Sequence, residues 1–423
     1  MSGVKLLRLS FDRFWLFAVS MILYGAFCSP MPREVSVIQL FVGVLIIFFI
    51  GIGSFSAIAF GGRFFQGVDD REEFFLWLIF FSITILCSLS SISVRDANDV
   101  IRDIVPHGFI FMPLFGAHAV SRLSDDKLAV VYLSFVVAAC LLMIRYFSLI
   151  GGGVADLGSG HFGFDQFLHL SADPVVLFSA IYCSGMLAKS WAEKNILNWK
   201  NGLYLFTVLL AFFSFSAKLS RGPFALLAGS ILVFFFIAWT RASNKVLYAA
   251  VLLLFSILMV GLSEQVQDNI YGVFSLLIEK QLEHGDSGKT DEFKAAVLQA
   301  SSGFDKALIG SGWGGVLDNP FRYGASFTFT HNIVSYYLVK GGFLAALLMI
   351  IYIAIIYFGY CKKLVSSRFE TVLAAALTFS YCAMLQPTFK ALSLGLILML
   401  LRAEYLRLRR NSLQSDPVSG VGK

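Results

Sequence analysis

HNIVSYYLVKGGFLAALLMIIYIAIIYFGY, residues 331–360, carries one charged side chain, Lys340, along its whole length. An α-helix rises 1.5 Å per residue and the hydrocarbon core of a bilayer is about 30 Å thick, so about 20 apolar residues suffice to cross it. The apolar positions run on without the two-residue alternation of a barrel strand, and only helices and closed barrels satisfy their backbone in lipid. The stretch therefore predicts a membrane-spanning helix with a His-Asn pair, His331-Asn332, at its mouth.

The rest of the chain has the same character. Its 423 residues are 57% hydrophobic and 14% charged, with a mean hydropathy of +0.77, outside the range of soluble domains. The expected fold is an all-α polytopic membrane protein with about twelve transmembrane helices. The spans are centred within 14–28, 35–60, 74–93, 104–121, 128–150, 173–188, 200–217, 222–240, 245–262, 331–360, 369–386 and 388–406. They form one integral membrane domain, 1–410, with a long external loop, 263–330, between spans nine and ten and a disordered cytoplasmic tail, 411–423. Lys5, Arg8 and Arg13 precede the first apolar run and no Ala-x-Ala pattern follows it, so it reads as a retained span. The six cysteines are scattered singly and read as packing residues.

Charge sets the orientation. With the N-terminus cytoplasmic, the cytoplasmic segments hold twenty Lys and Arg and the short external loops six: Arg33, Arg95, Arg102, Lys218, Arg221 and Lys390. That asymmetry predicts both termini in the cytoplasm. It also accounts for most of the net charge of +6, which leaves no reason to expect a nucleic-acid partner.

Four external stretches can carry chemistry. In KLSRGPF (218–224), Lys218 and Arg221 sit at a tight turn beside a helix start, either a fork for phosphate oxygens or an interfacial anchor. GKTDEFKAAVLQA (288–300) reads as an amphipathic helix with Lys289, Phe293, Ala296 and Val297 on one side. Lys289 in its first turn is opposed by the helix dipole, which points to an anionic partner, or it is a solvated lysine. GSGWGG (310–315) and the LDNPFRYG that follows offer close backbone approach, the flat face of Trp313 for a sugar and Arg322 for a phosphate. With Thr330 as N-cap, His331 falls in the first turn of its span, where the helix N-terminus favours a neutral imidazole beside a bound anion. An interfacial histidine is the other reading. His161, His169, Asp165 and Asp173 match no standard metal spacing. His107 and His118 read as satisfied core or interfacial residues. Arg145, deep in the fifth span, needs a partner that the sequence does not reveal.

In order along the chain, Asp173-Pro174, Ser220-Arg221-Gly222, Gly288-Lys289 with Phe293, Gly310-Ser311-Gly312 and His331-Asn332 with Gly341-Gly342 resemble the O-antigen ligase and O-antigen polymerase superfamily. Those proteins are bacterial membrane glycan transferases. The resemblance covers roughly residues 160–360. Lys289 stands where that family has arginine, and Phe293 where it has tryptophan.

The resemblance implies transfer of a glycan from an undecaprenyl-diphosphate-linked donor to a hydroxyl of a glycan or lipid A core acceptor. The reaction would run on the periplasmic face of the cell inner membrane, with neither a metal nor another cofactor. It gives His331, Arg221 and Lys289 catalytic roles, with Lys218, Arg322, Asn332 and Trp313 as substrate contacts and the lipid bilayer as the surrounding partner. His331 is then either a base or a phosphate contact. A transporter or flippase of an anionic or lipid-linked solute is the alternative function.

Overall fold

A computed structural model describes residues 13–28, 37–61, 71–91, 96–150, 170–193, 198–217, 220–241, 289–321, 325–328 and 330–415. Helices dominate: α1 (Phe14–Phe27), α2 (Val37–Ile50), α3 (Ile52–Ala59), α4 (Arg71–Leu89), α5 (Ala97–Ile110), α6 (Met112–Ser121), α7 (Asp125–Ile150) and α8 (Pro174–Ala192). They continue with α9 (Trp199–Ala217), α10 (Arg221–Arg241), α11 (Lys289–Ala300), α12 (Phe304–Ile309), α13 (Ile333–Ala354), α14 (Phe369–Leu385) and α15 (Leu392–Ser415). A three-residue antiparallel pair, β1 (Leu317–Asn319) with β2 (Ala325–Phe327), is the only sheet among the described residues.

The all-α membrane class is evident. Six described helices or helix pairs are long and apolar enough to cross a bilayer, or seven if α2 and α3 count as one span; α1 and α14 are apolar but shorter. The expected number was about twelve, and one expected segment, 245–262, lies outside the described residues. The single span expected over 35–60 is instead two helices bent by 95°. The bend falls at Gly51, whose φ of 93° lies in a region that only glycine occupies freely. At the other end of the chain, helix persists through Ser415, so the first five residues of the expected disordered tail are ordered.

The core lies between two central helices. One is α8, which packs on α7, α9, α10 and α14; the other is the first half of α15, packed on α5 and α6, with Leu392 through Glu404 almost entirely enclosed. Pro174 starts α8 and Asp173 caps it, its Oδ1 accepting the Val175 amide at 2.8 Å. The same buried carboxylate also accepts the Tyr24 hydroxyl at 2.6 Å and the Ser393 hydroxyl at 2.7 Å, tying α8 to α1 and α15. Asp173 is thus a structural cap. Arg145 finds its partners in backbone, donating to the carbonyls of Gly25 and Cys28, both at 2.9 Å, at the C-terminal end of α1. A helix end leaves such carbonyls unpaired, and this satisfies a cation that would otherwise be costly in lipid. All six cysteines are buried and unbridged.

Charged groups gather at the two ends of α4, whose 19 residues span about 28 Å. Near Arg71, Glu73 accepts from His118 at 2.9 Å, Arg402 approaches Glu72 at 3.7 Å, and Arg407 pairs with Asp125. Near Leu89, the chain meets Trp313, Lys340 and Asp103.

Candidate functional site

Two sites of polar chemistry emerge, and α13 joins them. The first is at its mouth. The N-cap is Asn332, not Thr330: Asn332 Oδ1 accepts the amides of Val334 at 2.7 Å and Ser335 at 3.4 Å. His331 thus precedes the cap and lies outside the first turn. Thr330 instead donates its hydroxyl to the Asn332 carbonyl at 2.8 Å. Asn332, expected to contact substrate, is occupied in shaping the helix start.

The His331 ring meets a carboxylate that the sequence did not announce. Glu292, in the first turn of α11, accepts the His331 amide through Oε1 at 2.6 Å and faces ring Nδ1 through Oε2 at 2.8 Å. When Nδ1 carries the proton that Glu292 accepts, the imidazole lone pair resides on Nε2. Gripping backbone and ring together fixes both the position and the tilt of the imidazole. The Glu292 side chain is 11% exposed and His331 30%, so the carboxylate is enclosed while the ring still reaches the surface.

Lys289 opens α11, and Glu292 is three residues on. Residues at i and i+3 are neighbours on a helix, so Lys289 stands one turn from the residue that holds His331. The expected face of α11 needs correction: its buried side is Glu292, Ala295, Ala296 and Ala300, which pack toward α13, while Phe293 is exposed. Alanine contributes little to an amphipathic signal, so the more conspicuous Phe293 misled the reading. Arg221 opens α10 in the expected place, and a Cβ at Gly222 would meet the Tyr381 ring of α14 at 2.6 Å. The Arg221 side chain, Lys218, Arg322, His161 and His169 lie outside the described residues.

The second site is a break in the middle of α13. Gly341 and Gly342 leave helical geometry, Gly342 with φ 69°, and the glycine-rich loop expected to cradle substrate docks into the gap. Ser311 and Gly312 donate their amides to the carbonyls of Val339 at 2.7 Å and Lys340 at 2.9 Å, and Trp313 donates to Cys87 at 3.1 Å. The first two bonds satisfy carbonyls that the break would leave bare in an apolar setting. The approach is backbone to backbone: a Cβ on Gly342 would lie 2.5 Å from the Ala307 carbonyl oxygen, and one on Gly310 2.6 Å from the Gly341 nitrogen. Gly342→Val therefore combines a forbidden φ with a steric clash. It should cost on the order of 3 kcal/mol or more, read as a lowered thermal midpoint in detergent beside the control Gly359→Ala, whose added carbon meets only an ordinary contact at 3.5 Å.

Trp313 is fully buried, its indole donating to Ser88 Oγ at 3.2 Å and lying 5.2 Å from the His107 ring. Its faces are therefore taken by the core, which removes it as a platform for a sugar. His107 is likewise satisfied, between Thr84 Oγ1 at 3.1 Å and the Tyr337 hydroxyl at 2.9 Å.

Beneath the docked loop lies a buried charge cluster. Asp103 Oδ2 meets Lys340 Nζ at 2.5 Å and the Gly314 amide at 2.9 Å, and Oδ1 meets Lys390 Nζ at 3.2 Å. Lys340 also donates to the Gly315 carbonyl. The Tyr336 ring lies 4.2 Å from Lys390 Nζ and 5.3 Å from Lys340 Nζ, within cation–π range. Lys390 belongs to the short turn Pro387–Lys390 between α14 and α15. Burial pushes its ammonium down to about 8, with Asp103 holding it up and Lys340 and Arg102 adding to the depression. A lysine in an apolar run, Lys340, was the available signal, but its partnership with Asp103 crosses more than two hundred residues of sequence. Comparison with protein-family models, with curated proteins and with solved structures finds no match to this chain.

Proposed function

We propose that this protein is a membrane glycan transferase of the O-antigen ligase or polymerase type, moving a glycan from a polyprenyl diphosphate to an acceptor hydroxyl at the outer face of the inner membrane. The observation that carries the reading is the His331 ring held by Glu292 at 2.8 Å, with Lys289 one helical turn away at the mouth of an apolar helix. A carboxylate that orients an imidazole is the arrangement general-base catalysis needs. In the proposed step, His331 Nε2 takes the acceptor proton as the hydroxyl oxygen bonds to the anomeric carbon. The bond from that carbon to the diphosphate oxygen breaks, and the diphosphate leaves with the electron pair. Lys289 and Arg221 offset the charge that grows on it.

Transport of an anionic or lipid-linked solute is the second reading, and the break in α13 beside Lys340 favours it, because discontinuous helices commonly build transporter sites. The docking of Ser311, Gly312 and Trp313 into that break speaks against it, since the gap is filled by protein backbone.

The surface glycan of a strain lacking the protein separates these readings. Loss of all polymer from the lipid A core is the ligase outcome, and a core bearing one repeat is the polymerase outcome. Lipid-linked donor retained on the cytoplasmic leaflet would replace both with transport.

A further inference from the structure

We propose a second ligand site, separate from the His331–Glu292 pair, in which Arg102 and Lys390 take an oxyanion of the phosphate class. Arg102, Lys340 and Lys390 bring three positive charges and Asp99 and Asp103 two negative ones, so among the described residues one positive charge is left over. A buried cation without a counter-charge is costly, and such sites are completed by an anion or by hydrogen bonds.

The local contacts show where the vacancy in pairing lies. Lys340 is closed off, 2% exposed, with a short bond to Asp103 and another to the Gly315 carbonyl. Among the described residues Lys390 hydrogen-bonds only the second oxygen of the same carboxylate, at 3.2 Å, with the Tyr336 ring beside it, and its side chain is 15% exposed. Arg102 uses Nη1 alone, on Asp99 at 2.6 Å. Its Nε and Nη2 are buried and make no hydrogen bond among the described residues.

Nε and one Nη form the edge of a guanidinium that binds two oxygens of a phosphate at once. The helix that carries Arg102, α5, packs on the turn that carries Lys390. A two-toothed donor edge without a partner and an ammonium on the packed neighbouring turn, both short of negative charge, make a site for a tetrahedral oxyanion. Its source can be a lipid headgroup, a lipid-linked diphosphate or a free phosphate. The site stands on these contacts and holds whether or not the chain transfers glycans.

Competitive acylation of Lys390 by acetic anhydride at pH 8, followed by peptide mass spectrometry on the purified full chain, tests the proposal. A bound oxyanion favours the unreactive ammonium, so saturating inorganic pyrophosphate should slow Lys390 acylation about tenfold while leaving the exposed Lys294 unaffected. Arg102→Gln should remove most of that protection. Farnesyl diphosphate protecting at much lower concentration than pyrophosphate would assign the site to a lipid-linked diphosphate. Slower acylation in phosphatidylglycerol than in phosphatidylcholine nanodiscs would assign it to a headgroup. Equal Lys390 rates in all these conditions would overturn the site. Equal protection in the Arg102 variant would remove arginine from it and overturn the proposal as stated. The wild-type comparisons decide the matter even if the variant does not fold, and none requires a transfer reaction.

Discussion

His331→Ala should reduce the rate of glycan transfer by about 10²- to 10⁴-fold, the range over which a positioned general base accelerates proton transfer. The measurement is turnover of a synthetic lipid-linked glycan by protein reconstituted in liposomes, with expression and thermal midpoint as folding controls. Because Glu292 grips both the ring and the amide of His331, it serves as a positioning residue. Glu292→Gln should lower kcat strongly and leave KM for the donor nearly unchanged, and Glu292→Asp should recover part of the loss. A purely structural carboxylate would instead lower the thermal midpoint and shift kcat and KM together. Near-normal turnover in His331→Ala would defeat the proposed mechanism outright.

The largest effect on stability is expected from Asp103→Ala. One carboxylate faces two ammonium groups there, with Lys340 almost fully enclosed. Removing one partner of a buried ion pair typically costs about 3–5 kcal/mol because the other charge stays behind unpaired. Here two charges stay behind, and the Gly314 amide also loses its acceptor. The loss should appear as a much lower thermal midpoint in detergent and as protease cleavage within the loop that Asp103 anchors. Changing the acid and its tightest partner together, Asp103→Leu with Lys340→Met, should be milder than Asp103→Ala alone. A double variant as unstable as the single one would show that loop docking and charge pairing are independent.

Much of the fold was legible because apolar run length is a strong signal in lipid. Expected segments such as 128–150, 200–217 and 222–240 correspond closely to α7, α9 and α10. Periodicity faded where glycine intervened, and so 35–60 read as one span although Gly51 turns the chain through 95°. The helix 289–300 was recognisable from its composition, but its buried side was not, since alanines mark it. His331 and Lys289 were singled out from their helix starts and from the order of motifs, and they lie on two elements that pack together, α13 and α11. Their actual link, Glu292, looked in the sequence like an ordinary acid in a first helical turn. The cluster of Asp103, Lys340 and Lys390 needed three distant segments to be folded together, which no local pattern encodes.

The docked loop also carries a message about biosynthesis. The carbonyls exposed by the break in α13 are covered by Ser311 and Gly312, and the arrangement is anchored on Cys87, all from segments that precede α13 in the chain. A ribosome makes those partners before it makes the break, so the interrupted helix can be completed as it enters the membrane and need not wait in lipid with bare peptide groups. Chain order thus acts as an assembly instruction. A permuted protein in which residues 304–315 are synthesised after 333–354 would have to insert the interruption first, and would assemble more slowly than the natural order allows.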